Sequence, residues 1–459
     1  MLTTHTSNED SAGRQQKVGR GALGVLFLAV FVDLLGFGIV IPLLPFWTLS
    51  LGADVLTYGL LVSSYSLMQF LFAPLWGRVS DRKGRRPVIL FGLTGTMIGF
   101  GILVIAASFV ESLFMLFASR IISGVFTAAT LPTSQAYIAD STSGEDRAKG
   151  FGLIGAAFGL GFALGPAIGG ILSIWGYIYP ALFATLLAMV NLLLAIRNLP
   201  ETLTVEVRKQ RQEFRERFGE RTPFAVLGEI AGSPVILILV VLFAVVSLGM
   251  ANMESTLALF GEERGFLDSF TTGVLFLVVG VVAIITQGGL IRPLSSKYKD
   301  APLISAGLFV MAIGFLAISF STNLLLISLA VVPLAFGSSI ATPTAGSLLS
   351  KVSPPENSGE ILGVNQSLAS LMRIIGPIMG TLLFEGFGEE FPYYVGAGLL
   401  LIAFVLSLKV AQMVEKPVYF VPCANCGIQL REGTANCKTC GFRIKQDLES
   451  GSEEPMTVL

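Results

Sequence analysis

Twelve apolar stretches, each long enough to cross a lipid bilayer, run through most of this chain. A bilayer core of about 30 Å needs about 20 apolar residues in a helix. A helix satisfies every backbone polar group internally, so it is the structure that such stretches form in lipid. The predicted spans lie near residues 21–45, 56–77, 87–108, 113–139, 148–173, 177–197, 234–257, 272–291, 302–320, 323–349, 359–384 and 391–413.

The composition supports an integral membrane protein. Of the 459 residues, 53% are hydrophobic and 13% are charged, and the mean hydropathy is +0.76, which is too apolar for a surface that lies wholly in water. The net charge of −1 and the grouped cations argue against a nucleic-acid partner. Residues 1–20 are polar, and the apolar run after them shows no cleavage site, so we expect a retained first span.

The cations predict the orientation of the spans. Apart from Arg120 and Arg373, which lie inside predicted spans, every Lys and Arg except Arg264 falls on the side of the N-terminus. Cytoplasmic loops carry the excess of Lys and Arg. We therefore expect a multi-pass protein of the cell membrane with both termini in the cytoplasm.

The chain contains an internal repeat. A shift of 211 positions superposes Gly165, Pro166 and Gly169 on their counterparts in the second half, and Pro132 on Pro343. The polar stretch between the halves has mixed charges and allows a surface helix. The predicted regions are a cytoplasmic segment 1–20, a six-helix bundle 21–197, a cytoplasmic loop 198–233, a second bundle 234–413 and a tail 414–459.

A charged loop follows the second span. Residues 75–87 read LWGRVSDRKGRRP, and we expect a tight turn in which Asp81 accepts hydrogen bonds from a helix N-terminus and pairs with neighbouring cations. We call it the gating loop; its residues are Gly77, Asp81, Arg82, Gly84, Arg85 and Arg86. The string resembles the signature loop of major facilitator superfamily transporters, although a purely topogenic role for the cations stays open.

This resemblance implies a fold and a role for the loop. Such proteins place twelve helices in two pseudo-symmetric six-helix bundles, with the substrate between the halves near mid-membrane. We therefore expect an all-α membrane protein of the major facilitator fold. The resemblance also implies that the gating loop, with a charge pair of Asp140 and Arg147, latches the cytoplasmic face closed while the outer face opens.

The fifth span carries a small-residue face in the string FGLGFALGPAIGG. Small residues let helices approach closely, and a proline frees a backbone carbonyl, so we expect close packing and bending during alternation. The residues are Gly161, Gly165, Pro166, Gly169 and Gly170. The pattern resembles the motif of antiporters in the superfamily and favours efflux over uptake; an ordinary packing face is the alternative.

Asp33 lies midway along the first span. A carboxylate there costs roughly 2.5–3.5 kcal/mol on insertion scales, so it should face a watered cavity, pair with a cation or take up a proton. The segment resembles the first helix of drug and tetracycline efflux proteins, where such an acid contributes to coupling or substrate binding. We predict a proton-responsive transport residue; the alternative is a packing carboxyl held by a hydroxyl.

Arg120, in the fourth span, is followed four residues later by Gly124, which matches a pattern of the same family. In a cavity, its fixed charge would help a nearby carboxyl to release its proton. We therefore predict a role in a proton relay. The alternative is an arginine that snorkels to the interface from near the end of its helix.

Two ionisable residues of the second half also lie in predicted spans, Glu254 and Arg373. Each can point into the cavity, where Glu254 would be a second proton or cation site; it could instead lie near the outer headgroups. Tetracycline exporters are expected to carry a His and an acid in this half, but the only His is His5, which favours another amphipathic substrate. Candidate lining residues, each also explicable as packing, are Phe37, Met68, Phe70, Phe158, Phe162, Met250 and Met253.

The tail holds all four cysteines of the chain, Cys423, Cys426, Cys437 and Cys440. Two C-x-x-C pairs separated by ten residues are typical of tetrahedral zinc on two knuckles. A reducing cytoplasm disfavours disulfides there. We expect a structural zinc and a small zinc ribbon over 423–440, which could bind a cytoplasmic protein partner, sense metal or cap the C-terminus.

The predicted function is export of small amphipathic, drug-like molecules in exchange for protons by alternating access. No phosphate-binding loop of the G-x-x-x-x-G-K-[ST] type is present in the sequence, so a proton gradient is the expected driving force. We expect a monomer. We expect no enzyme, because no nucleophile, base and orienting group occur together. The alternatives are a proton-coupled importer of a nutrient or metabolite, and a membrane sensor or scaffold acting through the ribbon.

Overall fold

Long helices make up nearly all of the structure. The computed structural model describes residues 20–109, 112–141, 144–203, 228, 230–353, 358–414, 420–422 and 429–431. Within these residues, twelve helical segments are long and apolar enough to cross a membrane. The predicted all-α architecture with twelve spans is therefore confirmed.

Among the described residues, the first half of the chain forms seven helices, of which the second is short. They are α1 (Arg20–Val40), α2 (Leu44–Ser50), α3 (Val55–Lys83), α4 (Arg85–Ser108), α5 (Leu113–Ser141), α6 (Gly144–Ser173) and α7 (Ile178–Asn198). The end of the bundle that carries α2 is called the α2 end. The opposite end, where α3 meets α4 at Gly84, is called the Gly84 end.

The second half repeats this arrangement. Its helices are α8 (Pro234–Glu263), α9 (Ser269–Ile285), α10 (Ile291–Lys297), α11 (Asp300–Ser319), α12 (Leu324–Val352), α13 (Ser358–Phe387) and α14 (Phe391–Val414). A π-helical turn, Thr286–Leu290, joins α9 to α10. Beyond α14, the strands β1 (Phe420–Pro422) and β2 (Gln429–Arg431) pair antiparallel.

The first predicted span, 21–45, is too long. Helix α1 ends at Val40, and a turn leads to the separate short helix α2. Pro42 ends α1 because proline has no N–H to donate and disfavours a helical residue before it. Pro45 lies in the first turn of α2, a position that suits proline.

The repeat seen in the sequence corresponds to a repeated contact. A Cβ at Gly165 of α6 would lie 2.7 Å from the carbonyl oxygen of Leu35 in α1, and one at Gly376 of α13 would lie 3.1 Å from that of Leu248 in α8. The glycines that superpose in sequence thus hold equivalent helix pairs together. Between the halves, α6 packs on α9 and α3 packs on α13.

Arg264, the cation that departs from the orientation rule, ties together three connections at the α2 end. It follows α8 and forms ion pairs with Glu389 (2.6 Å) and Glu390 (2.5 Å) in the turn between α13 and α14. Its Nη1 donates to the carbonyl oxygen of Ser321, after α11, at 2.7 Å. The guanidinium also lies 4.3 Å from the centroid of the Phe260 ring. Its charge is therefore neutralised locally.

Replacing Arg264 with Gln is expected to lower stability by about 1.5–3 kcal/mol, the usual value of hydrogen bonds to a charged group. Two carboxylates would lose their cation and a buried carbonyl would lose its donor. Thermal unfolding of the purified protein measures the effect. Arg292→Gln removes an exposed cation at the other end of the bundle and should leave the midpoint unchanged. Equal midpoints for both variants would contradict this role.

Candidate functional site

A cavity of about 250 Å³ lies between the two halves, near the middle of the long helices. Helices α1, α3, α5 and α6 line one side, and α8, α12 and α13 line the other. The acids that line it are Asp33 and Glu254, and the cation is Arg373. The site is therefore shared by both halves of the repeat.

Asp33 faces this cavity from α1. Its side chain is 9% exposed, and its Oδ1 accepts a hydrogen bond from the Thr96 hydroxyl at 3.1 Å. Thr130 lines the same space. No ion pair joins Asp33 to a cation in the part of the chain that the structure describes. The carboxyl thus has the hydroxyl partner expected of a packing carboxyl. It also faces the cavity, as expected of a proton-responsive transport residue.

A smaller chamber adjoins this cavity and shares Phe37, Tyr65, Glu254 and Arg373 with it. Arg120 lines the smaller chamber and is 2% exposed. It lies within α5, and its role in a proton relay stays a prediction. Its guanidinium lies 5.5 Å from the centroid of the Tyr65 ring.

Glu254 and Arg373 line both chambers from the second half. Glu254 therefore lines the cavity, and its role as a second proton or cation site stays a prediction. Within the described residues, neither side chain takes part in an ion pair of 4 Å or less. The structure therefore brings all four predicted ionisable residues to one site, where none forms an ion pair within the described part of the chain.

A polar cluster that the sequence analysis missed lies between these charges. Gln69 donates to the hydroxyl of Tyr65 at 3.0 Å and to that of Thr127 at 3.2 Å. Thr127 in turn donates to Tyr65 at 3.1 Å. The residues come from α3 and α5, 58 positions apart for Gln69 and Thr127, so no local pattern could have grouped them. The signal available in the sequence was the presence of polar residues, Gln69 and Thr127, inside otherwise apolar spans.

The candidate aromatic and methionine residues divide between cavity and packing. Phe37, Phe162 and Met250 line the larger cavity. Met253 is 0% exposed and belongs to the core of the second half. The side chain of Phe158 lies outside the described residues.

The gating loop forms a charge cluster at the Gly84 end. Arg85 is 3% exposed and pairs with Asp81 (2.8 Å) and Asp140 (2.9 Å). Gly84 has φ +113°, a backbone conformation that favours glycine. Asp140 pairs with Arg85. The expected pair of Asp140 with Arg147 stays a prediction, because the side chain of Arg147 lies outside the described residues.

Glu201, which the sequence analysis did not single out, completes this cluster. Its Oε1 accepts from the backbone N–H of Arg85 at 2.9 Å, and its Oε2 from that of Arg86 at 3.1 Å. It also accepts from the backbone N–H of Thr202 and Leu203, both at 3.0 Å. An acid at the N-terminus of α4 satisfies free donors and complements the helix dipole. At α4 this acid is Glu201, to which the N–H groups of Arg85 and Arg86 donate; the hydrogen bonds expected from a helix N-terminus to Asp81 stay a prediction.

The glycines of α6 form two contacts. Gly161, Gly165 and Gly169 lie against α1, whereas Gly170 lies against α9, across the boundary between the halves. A Cβ at Gly170 would lie 2.8 Å from the Cα of Gly273 and 2.9 Å from the carbonyl oxygen of Ser269. Helix α6 therefore packs closely on α1 and α9, and Gly170 permits the halves to meet near the α2 end.

A valine at Gly170 is expected to disfavour this closed α2 end. Overpacking of this kind costs about 1–3 kcal/mol, which shifts a two-state population by about 5- to 150-fold. Transport should fall accordingly. A cysteine introduced near the α2 end, in a chain whose four tail cysteines are replaced by Ser, should react faster with a thiol reagent. Gly159→Val on the same helix meets nothing within 4 Å and serves as the control. Equal reactivity and transport in both variants would contradict the prediction.

Two predicted features lie outside the described residues. The four cysteines of the tail are not described, and neither is most of the loop 198–233, where a surface helix was expected. Among the residues that the structure describes, no three His, Cys, Asp or Glu side chains form a metal-binding group. The zinc ribbon therefore remains a prediction from the sequence.

Comparison with known proteins agrees with this architecture. A sequence model described as Major Facilitator Superfamily matches residues 26–301 and 290–418. The chain is 32% identical over 391 residues to the class C tetracycline resistance protein of Escherichia coli, covering 83% of this chain and 95% of that one. It is 28% identical over 386 residues to multidrug resistance protein 1 of Bacillus subtilis, covering 84% and 95%.

A solved structure extends the comparison. The crystal structure of the human organic anion transporter MFSD10 superposes with a TM-score of 0.64 at 26% sequence identity. It covers 84% of this chain and 99% of the human one.

Proposed function

Because this chain belongs to the major facilitator superfamily of multi-pass membrane transporters, we propose that it exports small amphipathic molecules in exchange for protons by alternating access. The observation that carries the proposal is Asp33, a carboxyl without a cation partner among the described residues, facing a cavity between the two halves. Relatives named for resistance to tetracycline and to multiple drugs support export. A third relative is named for organic anions, so these names do not select one substrate.

The proposed orientation places the Gly84 end in the cytoplasm, with the protein in the cell membrane. The positions of the cations support it. Arg264, the exception, is held by two carboxylates, which accounts for a cation on the outer side.

In the proposed cycle, protons enter through Asp33 and Glu254, which both line the cavity. Two contacts hold the halves together: Gly170 on Gly273 near the α2 end, and the hydrogen bond from the Ser63 hydroxyl to the carbonyl oxygen of Ile374 (2.8 Å) at the middle of α13. Opening the α2 end would require these contacts to separate. The gating loop at the other end would then latch the cytoplasmic face, as the family resemblance implies.

The test is transport in vesicles of known orientation. Tetracycline and a panel of aromatic amphipathic compounds are offered while a proton gradient is imposed. Antiport requires substrate and protons to move in opposite directions. Movement of both in the same direction would replace export with proton-coupled import, and no gradient-driven movement of any compound would contradict both.

For the tail, we propose one structural zinc bound by Cys423, Cys426, Cys437 and Cys440. The proposal rests on the spacing of the cysteines in the sequence. Metal analysis of the purified full chain should find about one zinc per chain, and replacing Cys423 and Cys426 with Ser should remove it. Normal transport by the zinc-free variant would assign the tail to stability or partner binding, whereas absence of zinc from the unmodified chain would contradict the site.

A further inference from the structure

A cavity separate from the site between the halves lies at the Gly84 end of the second half. Its volume is about 550 Å³, and it lies where the loop between α10 and α11 meets the ends of α12 and α14. Three lysines line it, Lys297, Lys299 and Lys351, and the acid among its described lining residues is Asp300. We call it the lysine cavity. Its excess of positive charge is complemented by an anion.

Two of the three lysines have a charge that no described side chain neutralises. The Nζ of Lys351 lies 2.7 Å from Oδ2 of Asp300. Lys297 and Lys299 are exposed, and neither forms an ion pair of 4 Å or less within the described part of the chain. The Nζ of Lys297 lies 5.5 Å from the centroid of the Tyr298 ring. Both charges are therefore available to a ligand.

The first half of the repeat shows what occupies the equivalent place there. Arg85 begins α4 and pairs with Asp140 near the end of α5. Asp300 begins α11 and pairs with Lys351 near the end of α12. The same ion pair thus recurs with its charges exchanged. In the first half, the carboxylate of Glu201 lies beside this pair and accepts from the N-terminus of α4.

In the second half, no carboxylate of the described residues holds the position of Glu201. The N-cap residue of α11 is Lys299, whose side chain has donors only. Glu201 follows α7, and the equivalent segment follows α14, whose last described residue, Val414, lines the lysine cavity. The place of the Glu201 carboxylate in the first half therefore corresponds to the lysine cavity in the second.

The position of the cavity favours a lipid as the source of the anion. Helix α11 begins beside it, α12 and α14 end beside it, and all three are long and apolar enough to span a membrane. The ends of such spans lie among the lipid headgroups. Tyr298, which lines the cavity, is 48% exposed, and Met413 of α14 is 41% exposed. Cationic and apolar surfaces thus adjoin at the height where a phospholipid presents both.

We propose that the lysine cavity binds the headgroup of an anionic phospholipid, with the phosphate on Lys297 and Lys299 and the acyl chains along the exposed apolar side chains of α14. The phosphate would join the loop before α11 to the end of α14, as Glu201 joins α4 to the segment after α7. In the proposed orientation, the lipid belongs to the cytoplasmic leaflet, whose surface is negatively charged.

The test compares lipids that differ in charge alone. Native mass spectrometry of the purified full chain in an uncharged detergent counts bound molecules and gives the dissociation constant of the first one. The probes are phosphatidylglycerol, phosphatidylcholine with the same acyl chains, and inorganic phosphate. We expect phosphatidylglycerol to bind at least about fivefold more tightly than phosphatidylcholine, because one lysine near an anionic headgroup contributes about that factor.

Variants link this preference to the lysine cavity. Lys299→Gln should weaken the binding of phosphatidylglycerol about fivefold, and the double variant Lys297→Gln/Lys299→Gln about 25-fold. Both lysines are exposed, so unfolding midpoints without lipid should match that of the unmodified chain. Arg197→Gln removes one exposed cation at the same end of the first half and should leave the dissociation constant unchanged.

Four results would overturn the inference. Equal affinity for the two lipids would remove the charge preference, and unchanged affinity in the double variant would place the lipid elsewhere. Equal losses in Arg197→Gln and Lys299→Gln would indicate a general attraction to the charged surface. Inorganic phosphate that binds as tightly as phosphatidylglycerol would assign the cavity to a soluble phosphate compound. None of these measurements needs a proton gradient, so their outcome is independent of the proposed export.

Discussion

Replacing Asp33 with Asn is expected to reduce gradient-driven transport to the level of vesicles without protein. The amide keeps the size of the side chain and can still accept from Thr96, but it cannot take up and release a proton. Exchange of labelled for unlabelled compound, which needs no net proton movement, should persist. Parallel measurements of gradient-driven uptake and exchange, using the compound that the unmodified protein transports best, test this separation.

Asp54→Asn is the matched control. Asp54 caps α3 outside the membrane-spanning segment, and hydrogen bonds from Thr57 lower the pKa of its carboxyl. Asparagine caps helices about as well as aspartate, so coupling should be unchanged. Undiminished gradient-driven transport in Asp33→Asn would show that the proton uses another group, and Glu254 would be tested next.

Replacing Glu201 with Ala is expected to lower stability by about 1–3 kcal/mol and to impair transport. Four backbone N–H groups would lose their acceptor, and an unsatisfied buried donor costs about this much. The N-terminus of α4 would be released from the segment that follows α7. Thermal unfolding and transport are measured together.

Two other variants make this prediction specific. Glu201→Gln keeps one acceptor oxygen and should show a smaller effect. Glu263→Ala removes an exposed acid at the α2 end and should show none. A normal unfolding midpoint for Glu201→Ala would contradict the prediction, because it would mean that water replaces the carboxylate as acceptor without loss of stability.

The helices could be predicted because each span is long and apolar and is bounded by a charge, a proline or a short turn. The error at α1 has a local cause. The apolar run continues through Pro42, and hydropathy alone does not register that proline ends a helix. The repeat was also visible, since Gly165 and Gly376 must both remain small where helices touch.

The candidate site was predictable only in part. Ionisable residues inside membrane spans cost free energy and are therefore rare. This rarity identified Asp33, Arg120, Glu254 and Arg373 in the sequence. Glu201 was not conspicuous, because it lies in a polar segment 116 positions from Arg85. Its role depends on how α7 returns to the start of α4, which no local pattern encodes.

Arg264 has a mechanical consequence. By joining the end of α8 to the turns after α11 and α13, it prevents these connections from shifting separately. In the proposed alternating-access cycle, the ends of α8, α11 and α13 near the α2 end would therefore move together as one unit.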